Sequence, residues 1–159
     1  MKGIRKNLHY ILAPIFYFSV AQIGSSFTMQ GVSTWYMAIM KPSYNPPGVI
    51  IGVVWTVIYI LSAISLIVFV NAARGKKDLW VISGLYLLNG LINALWSYIF
   101  FVRHLLFLAF LDALFIWVTV GLLIIYIWSY SRISSMLLVP YFLWVSFATY
   151  LTFVIYRLN

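Results

Sequence analysis

The chain has 159 residues, of which 65% are apolar and only 8% are charged. Soluble domains are nearer half apolar and a quarter charged, and disordered chains have too few apolar residues to build a core. This composition excludes both classes and leaves a membrane protein. Ten basic residues against two acidic ones give a net charge of +8. Because they stand singly or in short clusters between apolar runs, orientation in a bilayer explains them better than nucleic acid, and we predict no nucleic-acid partner.

The chemistry of conventional enzymes is absent from the sequence. There is no cysteine, which excludes a disulfide, a thiol nucleophile and a cysteine-ligated metal. His9 and His104 lie near opposite ends of apolar runs, so they cannot bind a metal together. No phosphate-binding loop or nucleophile triad is present. We therefore predict no metal site and no required cofactor.

Five apolar stretches are each long enough to cross about 30 Å of hydrocarbon as a helix rising about 1.5 Å per residue. Their polarity does not alternate, which favours helices over the strands of a barrel. Their approximate boundaries are residues 8–29, 47–71, 79–101, 105–129 and 134–156. The sequence therefore predicts an all-α integral membrane protein, a bundle of five transmembrane helices in a single domain over residues 1–159.

The connection between the first two helices, about residues 30–46, is rich in proline and aromatic side chains such as Trp35, Pro42 and Tyr44. Proline fixes its own φ and restricts the residue before it. We expect a structured first loop that covers the bundle, although a merely rigid connector would have the same composition.

The basic residues predict an orientation. Seven fall on the side of the N-terminus and three on the other side: Lys2, Arg5, Lys6, Arg74, Lys76, Lys77 and Arg132 against Lys41, Arg103 and Arg157. Basic residues are in excess on the cytoplasmic side of membrane proteins. We therefore predict a cytoplasmic N-terminus and an external first loop. The absence of a long targeting extension suits a bacterial plasma membrane.

Unusual residues lie at one depth in all five predicted helices, roughly 10–12 Å below the side of the first loop at about 1.5 Å per residue. They are Gln22, Trp55, Asn93, Asp112 and Ala148. An aromatic box with an amide donor suits a flat, mostly apolar ligand that carries one or two polar groups. Polar residues inside a bundle also hold helices together without any ligand. We interpret Gln22 and Asp112 as such structural groups, with Asp112 bonded to another helix.

Helical spacing places further residues on common faces. The pairs are Trp55 with Tyr59, Asn93 with Trp96, and Trp144 with Ala148. The third helix also carries Gly90 and Ala94, a pair of small residues four apart that lets helices approach closely. We predict that this pair forms the interface of a homodimer.

Four motifs resemble the TspO/MBR family of tryptophan-rich sensory and translocator proteins. They are residues 35–47 (WYMAIMKPSYNPP), 54–59 (VWTVIY), 93–97 (NALWS) and 140–149 (PYFLWVSFAT). The resemblance covers nearly the whole chain, including its length and its five spans. It departs from the family at Tyr44, where tryptophan is usual, and at Phe153, where the sterol motif has tyrosine.

The resemblance implies a homodimeric membrane receptor for porphyrins, such as protoporphyrin IX and haem, or for drug-like molecules, with a pocket inside each protomer beneath the first loop. Carried over by position, the ligand-binding residues would be Tyr36, Trp55, Tyr59, Asn93, Trp96, Trp144 and Ala148. Some bacterial members promote light-dependent breakdown of protoporphyrin IX, for which Trp55 and Trp144 would be the catalytic residues. A passive transporter of porphyrin or other amphipaths, and a regulatory scaffold in a stress response, are the alternatives.

Overall fold

The structure is a computed structural model that describes residues 7–159. Within that range it contains helices and no strand. In chain order the helices are α1 (His9–Gly31), α2 (Trp35–Ala38), α3 (Gly48–Ala72), α4 (Leu79–Ser97), α5 (Leu106–Trp128), α6 (Arg132–Leu137) and α7 (Val139–Leu158). A π-helix, Tyr98–Val102, continues α4 directly. Five helical segments, with α6 and α7 counted together, are long and apolar enough to cross a membrane.

The predicted fold class is confirmed, and each span begins and ends within two residues of its predicted boundary. The first loop, residues 32–47, and the turn at residues 103–105 lie at one end of the bundle, which we call the lid end. Lys2, Arg5 and Lys6 lie outside the described residues. The other basic residues divide four against three between the two ends, so the predicted orientation depends on the N-terminal three and stays a prediction.

Two apolar clusters hold the bundle together, one in each half. The large cluster fills the half away from the lid end and includes Phe69, Tyr86 and Leu123, which are almost completely buried. The small cluster lies at the lid end, where Phe100 and Ile155 are buried beneath the first loop. The region between the two clusters is where a cavity remains.

The fifth span is two helices rather than the single helix predicted from the sequence. Pro140 lies at the start of α7 and cannot donate the backbone hydrogen bond that a continuous helix needs. The preceding helix, α6, is fixed to α3 by reciprocal bonds: the Ser65 hydroxyl donates to the carbonyl of Ser134 at 2.7 Å, and the Ser134 hydroxyl donates to the carbonyl of Ser65 at 2.7 Å. The break therefore docks α6 inside the bundle.

The small residues of α4 serve packing within one chain, which corrects the predicted dimer interface. Gly90 and Ala94 are both buried in the protomer. A Cβ atom on Gly90 would lie 2.7 Å from Cε1 of Phe16 on α1. Gly90 therefore lets α1 approach α4 closely, and neither small residue lies on the surface of the protomer.

A candidate ligand cavity under the first loop

A cavity of about 470 Å³ lies between the two apolar clusters, in the half of the bundle near the lid end. Drug-sized ligands occupy pockets of about 300–1,000 Å³. The structure brings together around it all seven side chains predicted to bind a ligand: Tyr36, Trp55, Tyr59, Asn93, Trp96, Trp144 and Ala148. They come from α2, α3, α4 and α7, while α1 contributes Gln22 and Ser25 to the lining and α5 contributes Ala113 and Ile116.

The floor of the cavity is a chain of hydrogen bonds that links four helices. Tyr59 of α3 donates to Oδ1 of Asn93 on α4 at 2.6 Å, and Nδ2 of Asn93 donates to Oη of Tyr141 on α7 at 3.0 Å. Tyr141 donates in turn to Oδ1 of Asn89 at 2.9 Å. Nδ2 of Asn89 then donates to the hydroxyl of Thr119 on α5 at 2.7 Å. In a low-dielectric interior such a satisfied network fixes the positions of its members.

The sequence predicted Asn93 as a ligand-binding residue, and the network gives it a structural role as well. Its amide is bonded on both sides, and only 5% of the residue is exposed. Asn93 therefore positions the cavity floor and has one N–H left to offer a ligand. Tyr141, which joins the amides of Asn93 and Asn89, was not predicted from the sequence to belong to the site.

The walls of the cavity are aromatic and uncharged. The indole nitrogens of Trp96 and Trp144 are buried and have no hydrogen-bond partner within residues 7–159. The Trp55 ring stacks on Tyr59 with centroids 5.5 Å apart. No charged side chain is among the described residues that line the cavity. Aromatic side chains favour stacking on flat rings, so these walls suit a flat, largely apolar ligand.

The first loop is held in a fixed conformation over the cavity. Nζ of Lys41 donates to the carbonyls of Tyr36 and Ile39 at 2.5 and 2.7 Å and lies 4.8 Å from the centroid of the Tyr36 ring. The Tyr36 hydroxyl donates to Oδ1 of Asn45 at 2.9 Å. Burial raises the pKa of Tyr36. The structured first loop predicted from the sequence is therefore present, and Lys41 stabilises its conformation.

The loop is also anchored to the rest of the lid end. Asn159 accepts from the backbone N–H of Met40 at 2.9 Å and donates to the carbonyl of Met40 at 3.0 Å. Trp35 stacks on His104 with ring centroids 4.1 Å apart, and the φ of His104 is 57°. These contacts tie the loop to α7 and to the turn before α5.

The π-helix at the end of α4 supplies two wall residues that the sequence did not predict. Phe100 and Phe101 both line the cavity. Phe100 stacks on Trp96 with centroids 4.8 Å apart, and Phe101 meets Tyr36 edge-on at 5.6 Å. Single-turn π-helices are rare and often occur at functional sites. The periodicity of an apolar segment does not reveal this change of register, so no sequence signal could have found it.

Gln22 and Asp112 were interpreted from the sequence as polar groups that hold helices together, and the structure gives them different surroundings. Gln22 is exposed on α1 and lines the cavity, and within the described chain its side chain makes no interhelical hydrogen bond. Asp112 does not line the cavity, and its buried Oδ2 has no partner among the residues described. The bond from Asp112 to another helix is therefore not made by this atom. Equal depth brought both residues to the correct level but did not determine their neighbours.

Comparison with known proteins identifies the family. The model of the TspO/MBR family matches residues 10–157 of this chain. The chain belongs to the TspO/MBR family. The tryptophan-rich protein TspO of Bacillus cereus is 44% identical over 79% of this chain and 81% of its own length. That of Archaeoglobus fulgidus is 36% identical over 99% of both chains. The human translocator protein is 28% identical over 86% of this chain and 82% of its own.

Membership of the TspO/MBR family agrees with the five membrane-spanning helices. The relatives come from bacteria, an archaeon and humans, and they include a protein named tryptophan-rich sensory protein in Cereibacter sphaeroides. The predicted assignment to this family and the prediction of an integral membrane protein are both confirmed.

Proposed function

We propose that this TspO/MBR member is a membrane receptor that binds a flat, largely apolar molecule of the porphyrin class in the cavity under its first loop. The single observation that carries the proposal is the aromatic lining of one cavity of about 470 Å³ that has no charged side chain among its described residues. Aromatic side chains favour stacking on flat rings.

The polar groups of the cavity suit the edge of such a ligand. A porphyrin such as protoporphyrin IX carries propionate groups that need donors or water. Asn93 lines the cavity and has one N–H left to donate. Gln22 also lines the cavity and is exposed, so polar groups of a ligand can reach the exterior beside it. Haem and drug-like molecules with carbonyl acceptors would use the same donor.

A receptor suits this architecture better than an ion-coupled transporter. Proton and ion pathways through membranes use charged side chains that face a cavity or one another. Of the described residues that line the cavity none is charged, and Asp112 lies outside its lining. Any porphyrin movement by this chain would therefore be passive.

The proposal is tested by titrating the purified, detergent-solubilised protein with protoporphyrin IX in darkness while tryptophan fluorescence is followed. Trp55, Trp96 and Trp144 line the cavity, so we expect saturable quenching with one porphyrin per chain. Quenching that rises linearly without saturation, as dissolution of porphyrin in the detergent micelle would produce, would contradict the proposal.

Light-dependent breakdown of the bound porphyrin is a second part of the proposal. Trp55 and Trp144 both line the cavity and would lie beside a bound porphyrin. An excited porphyrin that transfers energy to dioxygen produces an oxidant within reach of both indoles and of the porphyrin itself. Illumination of the saturated complex, with absorbance spectra recorded over time, tests whether the porphyrin bands disappear faster than they do with the porphyrin in detergent alone.

A further inference from the structure

Helix α1 has two neighbours, α3 and α4 with its π-helix. In the half away from the lid end it contacts α3: Nε2 of His9 lies 3.0 Å from Oδ1 of Asn71, Nδ2 of Asn71 donates to the Tyr10 hydroxyl at 2.8 Å, and the rings of Tyr17 and Tyr59 lie 6.3 Å apart. These contacts hold the two helices side by side up to the cavity floor.

Near the lid end α1 packs on the end of α4 and on the π-helix. A Cβ atom on Gly24 would lie 3.4 Å from the Ser97 hydroxyl, and a Cβ atom on Gly31 would lie 2.3 Å from the Phe101 carbonyl oxygen. Only glycine permits so close an approach at Gly31. In this half α1 therefore leans towards the π-helix and away from α3.

Near the lid end, the side of α3 that faces α1 is open. A Cβ atom on Gly48 or Gly52 would meet no described atom within 4 Å. Both glycines are exposed and both line the cavity, as do Gln22 and Ser25 on the facing side of α1. A residue that lines the cavity and is also exposed lies at an opening, so the cavity opens to the exterior between α1 and α3.

The opening lies at the depth of lipid chains. Gly52 is four residues inside the lid end of α3, and Gln22 is nine residues inside the lid end of α1. At about 1.5 Å per residue these positions lie about 6 and 13 Å below the helix ends, within hydrocarbon about 30 Å thick. The first loop, which covers the cavity from above, is anchored by Lys41 and Asn159. The side opening is therefore the less obstructed route.

We propose that ligands enter the cavity sideways from the lipid bilayer, through a slot between α1 and α3 whose width depends on the absence of side chains at Gly48 and Gly52. This inference rests on the proposed function. It limits the ligands to flat molecules that dissolve in lipid, and it explains why the first loop is fixed rather than mobile. A bulky residue at Gly52 fits without moving the backbone, because that space is open, and it would obstruct the slot.

The test measures protoporphyrin IX binding to protein in phosphatidylcholine vesicles, by stopped-flow tryptophan quenching in darkness. Gly52→Leu is compared with Gly84→Leu, whose Cβ also meets no described atom within 4 Å and which does not line the cavity. Both changes replace an exposed helical glycine, so their effects on helix stability match. Gly48→Leu is a second obstruction at the same slot.

A barrier at an entrance slows entry and exit equally. We expect Gly52→Leu and Gly48→Leu to reduce both the association and the dissociation rate about tenfold or more, whereas a side chain that only weakened the bound state would raise the dissociation rate; Gly84→Leu should behave as wild type. The wild-type rate should follow the ratio of porphyrin to lipid rather than the aqueous porphyrin concentration. Saturable binding with equal rates in all four proteins would overturn lateral entry and leave the proposed function intact. No saturable binding by the wild type would overturn the proposed function, and lateral entry with it.

Discussion

Replacement of Tyr141 by phenylalanine is expected to destabilise the bundle strongly, although it removes a single oxygen atom. The hydroxyl accepts from Asn93 at 3.0 Å and donates to Asn89 at 2.9 Å, and only 3% of Tyr141 is exposed. Interhelical hydrogen bonds in membranes average about 0.6 kcal/mol, which gives a lower bound of about 1.2 kcal/mol for two. Buried groups left unpaired cost about 1–3 kcal/mol each, which gives an upper bound of about 6 kcal/mol.

We expect the free energy of unfolding to fall by about 2–4 kcal/mol, between these bounds. The assay is reversible unfolding in mixed detergent micelles with increasing denaturing detergent, followed by tryptophan fluorescence. Tyr126→Phe is the matched control, because Tyr126 is 54% exposed on α5 and its hydroxyl has no hydrogen bond within the described chain. Tyr59→Phe should have an intermediate effect, since it removes one bond at the edge of the cavity. Equal stability of Tyr141→Phe and Tyr126→Phe would refute the account of the network.

Three further predictions concern the packing, the first loop and the indoles. Gly31→Ala should lower the free energy of unfolding by about 1–3 kcal/mol, because its Cβ would lie 2.3 Å from the Phe101 carbonyl oxygen; an unchanged unfolding midpoint would contradict this. Asn159→Ala removes two bonds to the first loop, so hydrogen exchange in residues 32–47 should accelerate while the core stays protected; unaltered loop exchange would show that these bonds do not hold it. Trp55→Phe and Trp144→Phe should keep porphyrin binding and lose light-dependent porphyrin breakdown, measured by absorbance; equal product formation would exclude an indole role.

The fold could be predicted from the sequence because its causes are local. A run of apolar residues long enough to cross the bilayer must form a helix, since lipid offers no partner for backbone polar groups. The break in the fifth span was missed although Pro140 signals it. Apolar side chains continue on both sides of the proline, and the bonds between Ser65 and Ser134 that hold the broken end appear only in three dimensions.

The candidate site was partly predictable, because helical rise converts residue number into depth. Depth brought Trp55, Asn93 and Ala148 to one level, and the structure places all three around one cavity. The depth of a residue along a helix does not determine in which direction around the helix axis its side chain points. Asp112 has the correct level and lies outside the cavity lining, while Gly90 faces Phe16 of its own chain.

What the sequence could not reveal depends on how helices tilt and change register. The π-helix turns Phe100 and Phe101 towards the cavity, and its pattern of hydrogen bonds has no counterpart in apolar periodicity. The opening beside Gly52 arises because α1 leans towards the π-helix. Each feature follows from contacts between elements that are distant in the chain.

The most direct test of the central claim is the effect of filling the cavity on porphyrin binding. Ala148→Phe places a ring on the face of α7 that lines the cavity, and Leu143→Phe places the same ring on the outer face of that helix, where Leu143 is 63% exposed. The measurement is the equilibrium titration of protoporphyrin IX against both variants and the wild type in darkness. The account predicts a Kd at least tenfold higher for Ala148→Phe and unchanged for Leu143→Phe. The same Kd in all three proteins would show that porphyrin does not bind in this cavity.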